Sequence, residues 1–159
     1  MSSITVGNWF YVGNAGAGTV NISGGSITIS ALLSIANGAA TTSIGTVNLD
    51  GGTITCGTFS MATVGGTARL NITGGKLIVN GSVTGTIATY ITNTWIKGYG
   101  STSNVRYDYN VTTPGKTTVW AVGATKAANP SPENSATNVA RNATLSWVAG
   151  TGAVSHDVY

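Results

Sequence analysis

The stretch "NISGGSITI" at residues 21–29 decides the fold, because it returns as "NLDGGTITC" at 48–56 and as "NITGGKLIV" at 71–79. The leading Asn residues stand 27 and then 23 positions apart. A period of this size is typical of a solenoid. A Gly pair can cradle an anionic ligand or can turn the chain at a corner. No helix follows the pair and no Lys stands at a shared position, so the corner is favoured.

Alternation of apolar and polar residues supports stacking of the copies. Side chains two positions apart share one face of a strand, and the matched positions on that face are apolar in every copy. Each copy would therefore form one coil, pair with its neighbours about 4.8 Å away and bury its inward side chains. The predicted inward columns are Val20, Val47, Leu70; Ile22, Leu49, Ile72; Ile4, Ile27, Ile54, Leu77; Val6, Ile29, Cys56, Val79; Phe10, Leu33, Phe59; and Val12, Ile35, Met61.

The pattern predicts an all-β protein: a right-handed parallel β-helix of about three to four coils, the hand following from the usual crossover rule. Antiparallel hairpins are the alternative, since Gly-Gly also suits a two-residue turn. Matching across three segments of each copy favours coils.

Composition agrees with a β-rich chain that carries few charges. Gly supplies 23 of 159 residues, hydrophobic residues supply 42%, and charged residues only 7%. The net charge of +3 comes from scattered side chains without a dense basic patch, so nucleic-acid binding is not expected. No apolar run is long enough for a membrane-spanning helix.

The repeat pattern stops after Val79, and three regions are predicted. Residues 1–82 form the solenoid. Residues 83–125 form a cap: Val83, Ile87, Tyr90, Ile91 and Trp95 make a helical stripe with Thr84 as a candidate N-cap, and two strands follow. Residues 126–159 hold a Pro-rich linker and the incomplete start of a β-sandwich module. Because the chain stops at "SHDVY", we expect a fragment of a longer protein, and the lack of a signal peptide is then uninformative.

The last region resembles the beginning of a fibronectin type III or immunoglobulin-like module, through Leu145, Trp147, Val158 and Tyr159. Together, the "GTVNISGGSITI" repeats, the "WIKGYG…VRYDYNVTTPGKTTV" segment and the "NPSPENSATNV…LSW…SHDVY" start resemble large secreted bacterial repeat proteins of planctomycete type. That resemblance implies an extracellular or cell-surface location and an architecture, but no activity.

Catalytic, metal and cofactor sites are not expected. Glycoside hydrolysis needs two carboxyl groups about 5–9.5 Å apart. The repeats carry Asp50 alone, while Asp108, Glu133 and Asp157 are scattered beyond them. Cys56 falls in an inward column, where a thiol is inert. His156 lacks further metal ligands.

Two sets of outward residues are candidates for contact with a partner. Asn21, Asn48 and Asn71 align as a ladder, either structural or, at the sequons Asn21, Asn71, Asn110 and Asn142, glycosylated. Aromatic rings can stack on sugars or close the core. The aromatic candidates for ligand contact are Trp9, Tyr11, Tyr99, Tyr107 and Tyr109.

These observations favour a noncatalytic structural segment, a rigid stalk or display scaffold. The alternatives are a carbohydrate-binding or adhesion module that uses the outer polar and aromatic face, and an accessory part of a polysaccharide-degrading enzyme whose catalytic residues lie elsewhere. An ice-binding Thr face at Thr28 and Thr55 is disfavoured, because Lys76 and Ile78 interrupt it. Expected partners are polysaccharide or other surface proteins, and the uncapped first coil favours end-to-end self-association.

Overall fold

The computed structural model describes residues 2–38, 42–62, 65–123, 128–148 and 150. They fall into two compact units, residues 1–122 and residues 123–159. The elements, in chain order, are β1 (Ser3–Val6), β2 (Phe10–Val12), β3 (Ala17–Ile35), β4 (Ile44–Met61), β5 (Thr67–Ile72), β6 (Lys76–Asn80), α1 (Thr84–Thr92), β7 (Ile96–Gly98), a 3₁₀ turn (Thr102–Asn104), β8 (Val105–Tyr109), β9 (Lys116–Ala121), β10 (Ala128–Ser131) and β11 (Ser146–Val148).

The first unit is a β-solenoid, which confirms the predicted fold class. Each repeat lies one coil from the next, with parallel pairing between β1 or β2 and β3, between β3 and β4, and between β4 and β5 or β6. The register is the one the repeat alignment predicts. Ile4, Ile27, Ile54 and Leu77 form one column, and Val6, Ile29, Cys56 and Val79 form the next.

The core is the continuous interior of these coils. Nearly all of the predicted inward side chains of the second, third and fourth coils are buried, and full burial of one such aliphatic chain contributes about 1.5–3 kcal/mol. Ile4 differs, with 58% of its surface exposed, because it lies in the first coil and has a neighbouring coil on one side only among the described residues. End-to-end association through this open edge stays a prediction.

The Gly pairs form corners, as the sequence predicts; Gly74–Gly75 lies between β5 and β6, whereas the first two pairs lie within the long strands β3 and β4, where the pairing register shifts. Gly25 and Gly52 occupy the left-handed region, with φ of +77° and +76°, where a residue with a Cβ is strained. The corners of successive coils stack closely: a Cβ on Gly51 would come within 2.3 Å of the Ser23 carbonyl oxygen. The repeated motif therefore satisfies backbone geometry and close packing.

The cap contains the predicted helix but differs from the prediction at both ends. Thr84 is the first helical residue and not the N-cap; that position belongs to Val83, whose N–H donates to the Thr117 hydroxyl at 3.0 Å. Trp95 lies beyond the helix, where its carbonyl accepts from the Leu70 N–H at 2.8 Å. The helix ends early because the chain at Trp95 already joins the edge of the next coil.

Three further strand pairings close this end of the solenoid. Strand β7 adds a parallel rung to β5, so that Ile96 extends the column of Val20, Val47 and Leu70. Strand β9 pairs antiparallel with β6, and β8 pairs antiparallel with β9. One parallel ladder therefore ends at β7, and the other ends at β6, which the β8–β9 hairpin covers.

The second unit contains one short antiparallel pair, β10 with β11. Strand β11 agrees with the strand predicted around Trp147, whereas β10 lies in the stretch predicted to be a linker. Leu145, Trp147 and Val148 are exposed. Val158 and Tyr159 lie outside the described residues, so the fibronectin-like module stays a prediction.

Candidate functional site: the outer asparagine ladder and exposed aromatic residues

The asparagine ladder runs across three coils on the outer face of the solenoid. The Asn48 side-chain amide donates to Asn21 Oδ1 at 2.7 Å, and the Asn71 amide donates to Asn48 Oδ1 at 2.8 Å. Strand pairing places Lys97 at the fourth position of the same column. The ladder is therefore a chain of amide hydrogen bonds that ends beside a cation.

The neighbouring outward columns are polar. Thr19, Thr46 and Arg69 align on one side of the ladder. On the other side the Thr73 hydroxyl donates to Asp50 Oδ1 at 2.6 Å. Asp50, the acidic residue of the repeats, is thus bonded within this outer surface.

Substitution of Asn48 by Ala should cost more stability than the same change at the end of the ladder. Asn48 makes two ladder bonds and Asn21 makes one. Since a side-chain hydrogen bond contributes about 0.5–1.5 kcal/mol, we expect Asn48→Ala to lower the free energy of unfolding by about 1–2 kcal/mol and Asn21→Ala by about half as much. Urea unfolding of both variants measures this difference. Equal losses in the two variants would contradict a contribution that grows with the number of ladder bonds.

Trp9 and Tyr11 form an exposed aromatic pair on the first coil. Their ring centroids lie 6.1 Å apart with a tilt of 59°, and Trp9 is 58% exposed. Alternation along β2 explains this placement, because Phe10 and Val12 turn to the core and Tyr11 turns away. The two solvent-exposed rings form an apolar surface of the kind that stacks on sugar rings.

Tyr99, Tyr107 and Tyr109 are exposed at the opposite end of the solenoid. The Tyr99 N–H donates to the Ile72 carbonyl at 3.0 Å, directly after β7. Tyr107 and Tyr109 lie on β8, opposite Val119 and Thr117. Among the described residues, no ring contact joins these three tyrosines, so the structure does not gather them into one aromatic platform.

Other aromatic side chains close the core at this end. Phe59 and Tyr90 meet edge to face with centroids 5.8 Å apart, and Tyr90 packs against Trp95 at 5.5 Å. The Tyr90 hydroxyl accepts from the Met61 N–H at 3.3 Å. Tyr90 and Trp95 therefore stabilise the cap and are not offered to a ligand.

The remaining titratable candidates do not converge on one site. Asp108 accepts hydrogen bonds from Thr112, whose hydroxyl lowers the pKa of this carboxyl below its usual value. His156 and Asp157 lie outside the described residues. Within the described ranges, no three His, Cys, Asp or Glu side chains come close enough to hold a metal ion.

Cys56 makes the stability of the fold depend on pH in the alkaline range. The thiol is 1% exposed, and burial raises its pKa from 9.0 to about 12, against a smaller lowering by a backbone hydrogen bond with Leu33. Between these two values the folded chain keeps the proton that the unfolded chain loses. The contribution of the neutral thiol to the stability of the folded state is therefore complete below about pH 9 and is lost as the pH rises toward about 12.

As the pH rises from about 8 to about 10.5, we expect the free energy of unfolding of the wild-type protein to fall by about 2 kcal/mol more than that of Cys56→Val. Val is a suitable replacement because Val79 occupies the same column. Urea unfolding across this range gives the comparison. Parallel stability curves for the two proteins would contradict a buried neutral thiol.

Sequence reasoning missed two features of this surface. Lys97 joins the asparagine column although its segment lacks the Asn and the Gly pair, and a faint signal exists in Ile96, which matches Leu70 one rung below. Lys76 and Trp120 come together only because β9 pairs with β6. The spacing of the repeats does not predict the pairing of Lys76 with Trp120.

The coils and their outer ladder define a β-solenoid protein. No family model, curated protein or solved structure matches the chain. In the part of the chain that the structure describes, no helix is long and apolar enough to cross a membrane.

Proposed function

We propose that this chain is a noncatalytic structural repeat segment of an extracellular or cell-surface protein, serving as a rigid stalk or display scaffold. The asparagine ladder is the observation that carries the proposal. Its amide groups bond to one another from coil to coil, at 2.7 and 2.8 Å, and so reinforce the stack. Because these amide groups bond to one another, they stabilise the stacked coils, and this favours a structural role for the face over ligand binding.

A second candidate function is a carbohydrate-binding or adhesion module. The exposed pair of Trp9 and Tyr11 favours it, because two adjacent rings with a wet face suit stacking on a sugar. The location outside the cell belongs to both candidates and rests on the resemblance to secreted repeat proteins.

A glycan array probed with the whole chain separates the two candidates. If the chain is a scaffold, we expect no saturable glycan binding that depends on Tyr11 or Tyr107. Saturable binding that is lost in Tyr11→Ala or Tyr107→Ala, and kept in Tyr11→Phe, would overturn the purely structural proposal. Tyr11→Phe keeps the ring and is therefore the matched control for loss of stacking.

A further inference from the structure

A cleft of about 300 Å³ lies at the Gly74–Gly75 corner, where β9 pairs with β6. Its walls include Lys76, Thr112, Thr118 and Trp120, and part of its floor is the Gly74–Gly75 corner. Neither the repeat alignment nor the proposed scaffold role assigns anything to it. The volume is at the small end of the range for ligand pockets, about 300–1,000 Å³, and suits a single small ring with its substituents.

The antiparallel addition of β9 builds the cleft. Lys76 lies directly opposite Trp120, and Ile78 lies opposite Thr118. Residues paired in this way have side chains on the same face of the sheet, about 4.5–5.5 Å apart at Cβ. The pairing therefore puts a lysine and a tryptophan side chain next to each other on one face of the sheet, a combination that the parallel coils do not provide.

The loop between β8 and β9 forms a fixed wall. Asp108 accepts from the Thr112 N–H at 3.1 Å and from the Thr112 hydroxyl. Asn110 Oδ1 accepts from the Gly115 N–H at 2.7 Å, and the Thr118 hydroxyl donates to Thr113 Oγ1 at 2.9 Å. These bonds hold Thr112 at the cleft without a ligand, so binding would require little ordering of the loop.

The lining has the chemistry of a site for an anionic ring. Lys76 is the only charged side chain among the described residues that line the cleft. Next to the lining, Asp108 accepts from Thr112, which keeps its pKa low and its carboxylate anionic, while Arg106 on β8 lies opposite Trp120. Trp120 is half-buried and supplies an apolar wall, and the exposed Thr112 supplies a hydroxyl oxygen, whereas the Thr118 side chain is fully buried.

We propose that this cleft binds one sugar unit that carries an anionic substituent, a carboxylate or a sulfate. The sugar ring stacks on the Trp120 indole, and the anionic group pairs with the Lys76 ammonium. Thr112 contacts the ring hydroxyls. A saccharide is favoured over a nucleotide, because the cleft has room for one small ring and offers a single aromatic wall.

The proposal is tested by NMR titration of the whole ¹⁵N-labelled chain with three matched probes. These are methyl β-D-glucuronide, methyl β-D-glucoside and methyl β-D-glucoside 6-sulfate, which differ only at C6. We expect saturable shifts of the Trp120 indole N–H and the Thr112 amide with the glucuronide, and at least about tenfold weaker binding of the neutral glucoside. The sulfated probe shows whether the anionic partner is a carboxylate only or either anion.

Two charge variants make the test specific. Lys76→Gln should weaken glucuronide binding about tenfold and bring it close to that of the glucoside. Arg69→Gln removes an exposed cation outside the cleft and should change nothing. Trp120→Leu should weaken all bound probes. Far-UV circular dichroism shows whether each variant is folded, and the Lys76 result stands by itself if Trp120→Leu unfolds.

Several results would overturn the proposal. They are equal binding of glucuronide and glucoside, shifts that do not saturate, equal losses in the Lys76 and Arg69 variants, or tighter binding of a mononucleotide than of either anionic sugar. None of these depends on Tyr11 or Tyr107, so the test is distinguishable from that of the scaffold proposal.

Discussion

Replacement of Ile54 by Asp is expected to unfold the solenoid. Ile54 is 2% exposed and sits between Ile27 and Leu77 in an apolar column. The change removes a buried aliphatic side chain, worth about 1.5–3 kcal/mol, and adds a carboxyl group without a partner. A carboxyl group buried there without a partner costs several kcal/mol more, either as an ion or after it has taken up a proton.

The total of about 5 kcal/mol or more is comparable to the whole stability of a domain of this size. Circular dichroism and the urea midpoint of Ile54→Asp provide the measurement. We expect either an unfolded chain at about 25 °C or a midpoint near zero denaturant.

Thr55→Asp is the matched control, because it places the same carboxyl group one residue away on the outer face. Thr55 lies between Thr28 and Ile78 and is half-buried, so an ionised side chain there still reaches water. We expect a loss within about 1 kcal/mol. Similar losses for the two variants would contradict the assignment of inside and outside along β4.

The coils were predictable from the sequence because each one repeats the same physical problem. Side chains alternate between the two faces of each strand, and the inward face must be apolar in every coil, so neighbouring coils can pair only with matching residues in register. Asn21, Asn48 and Asn71 therefore lie next to one another. The ladder of the candidate site follows from this alignment alone. Trp9 and Tyr11 follow in the same way from alternation along β2.

The closing end was less predictable because it does not repeat. The helix was visible in the spacing of Ile87, Tyr90 and Ile91, but its limits depend on tertiary contacts such as the bond from Leu70 to Trp95. The cleft at Lys76 and Trp120 depends on an antiparallel pairing between segments distant in sequence. Neither strand reveals its partner through periodicity.

Gly52→Ala is expected to destabilise the solenoid strongly, although it adds a single methyl group at a corner. Gly52 has φ of +76°, where a residue with a Cβ is strained by about 1–2 kcal/mol. A Cβ there would lie 2.5 Å from the Gly25 carbonyl oxygen and 2.7 Å from the Gly24 carbonyl carbon. These are backbone atoms of the neighbouring coil and cannot rotate away, so the two coils must separate locally.

We expect a loss of about 3 kcal/mol or more in the free energy of unfolding of Gly52→Ala, measured by urea or thermal unfolding. Gly24→Ala is the control from the preceding corner, because Gly24 is outside the left-handed region and a Cβ on it meets no atom within 4 Å. That variant should lose less than about 1 kcal/mol. If both substitutions were equally mild, the corners would tolerate side chains, and close stacking of coil on coil could not be the reason for the repeated Gly pair.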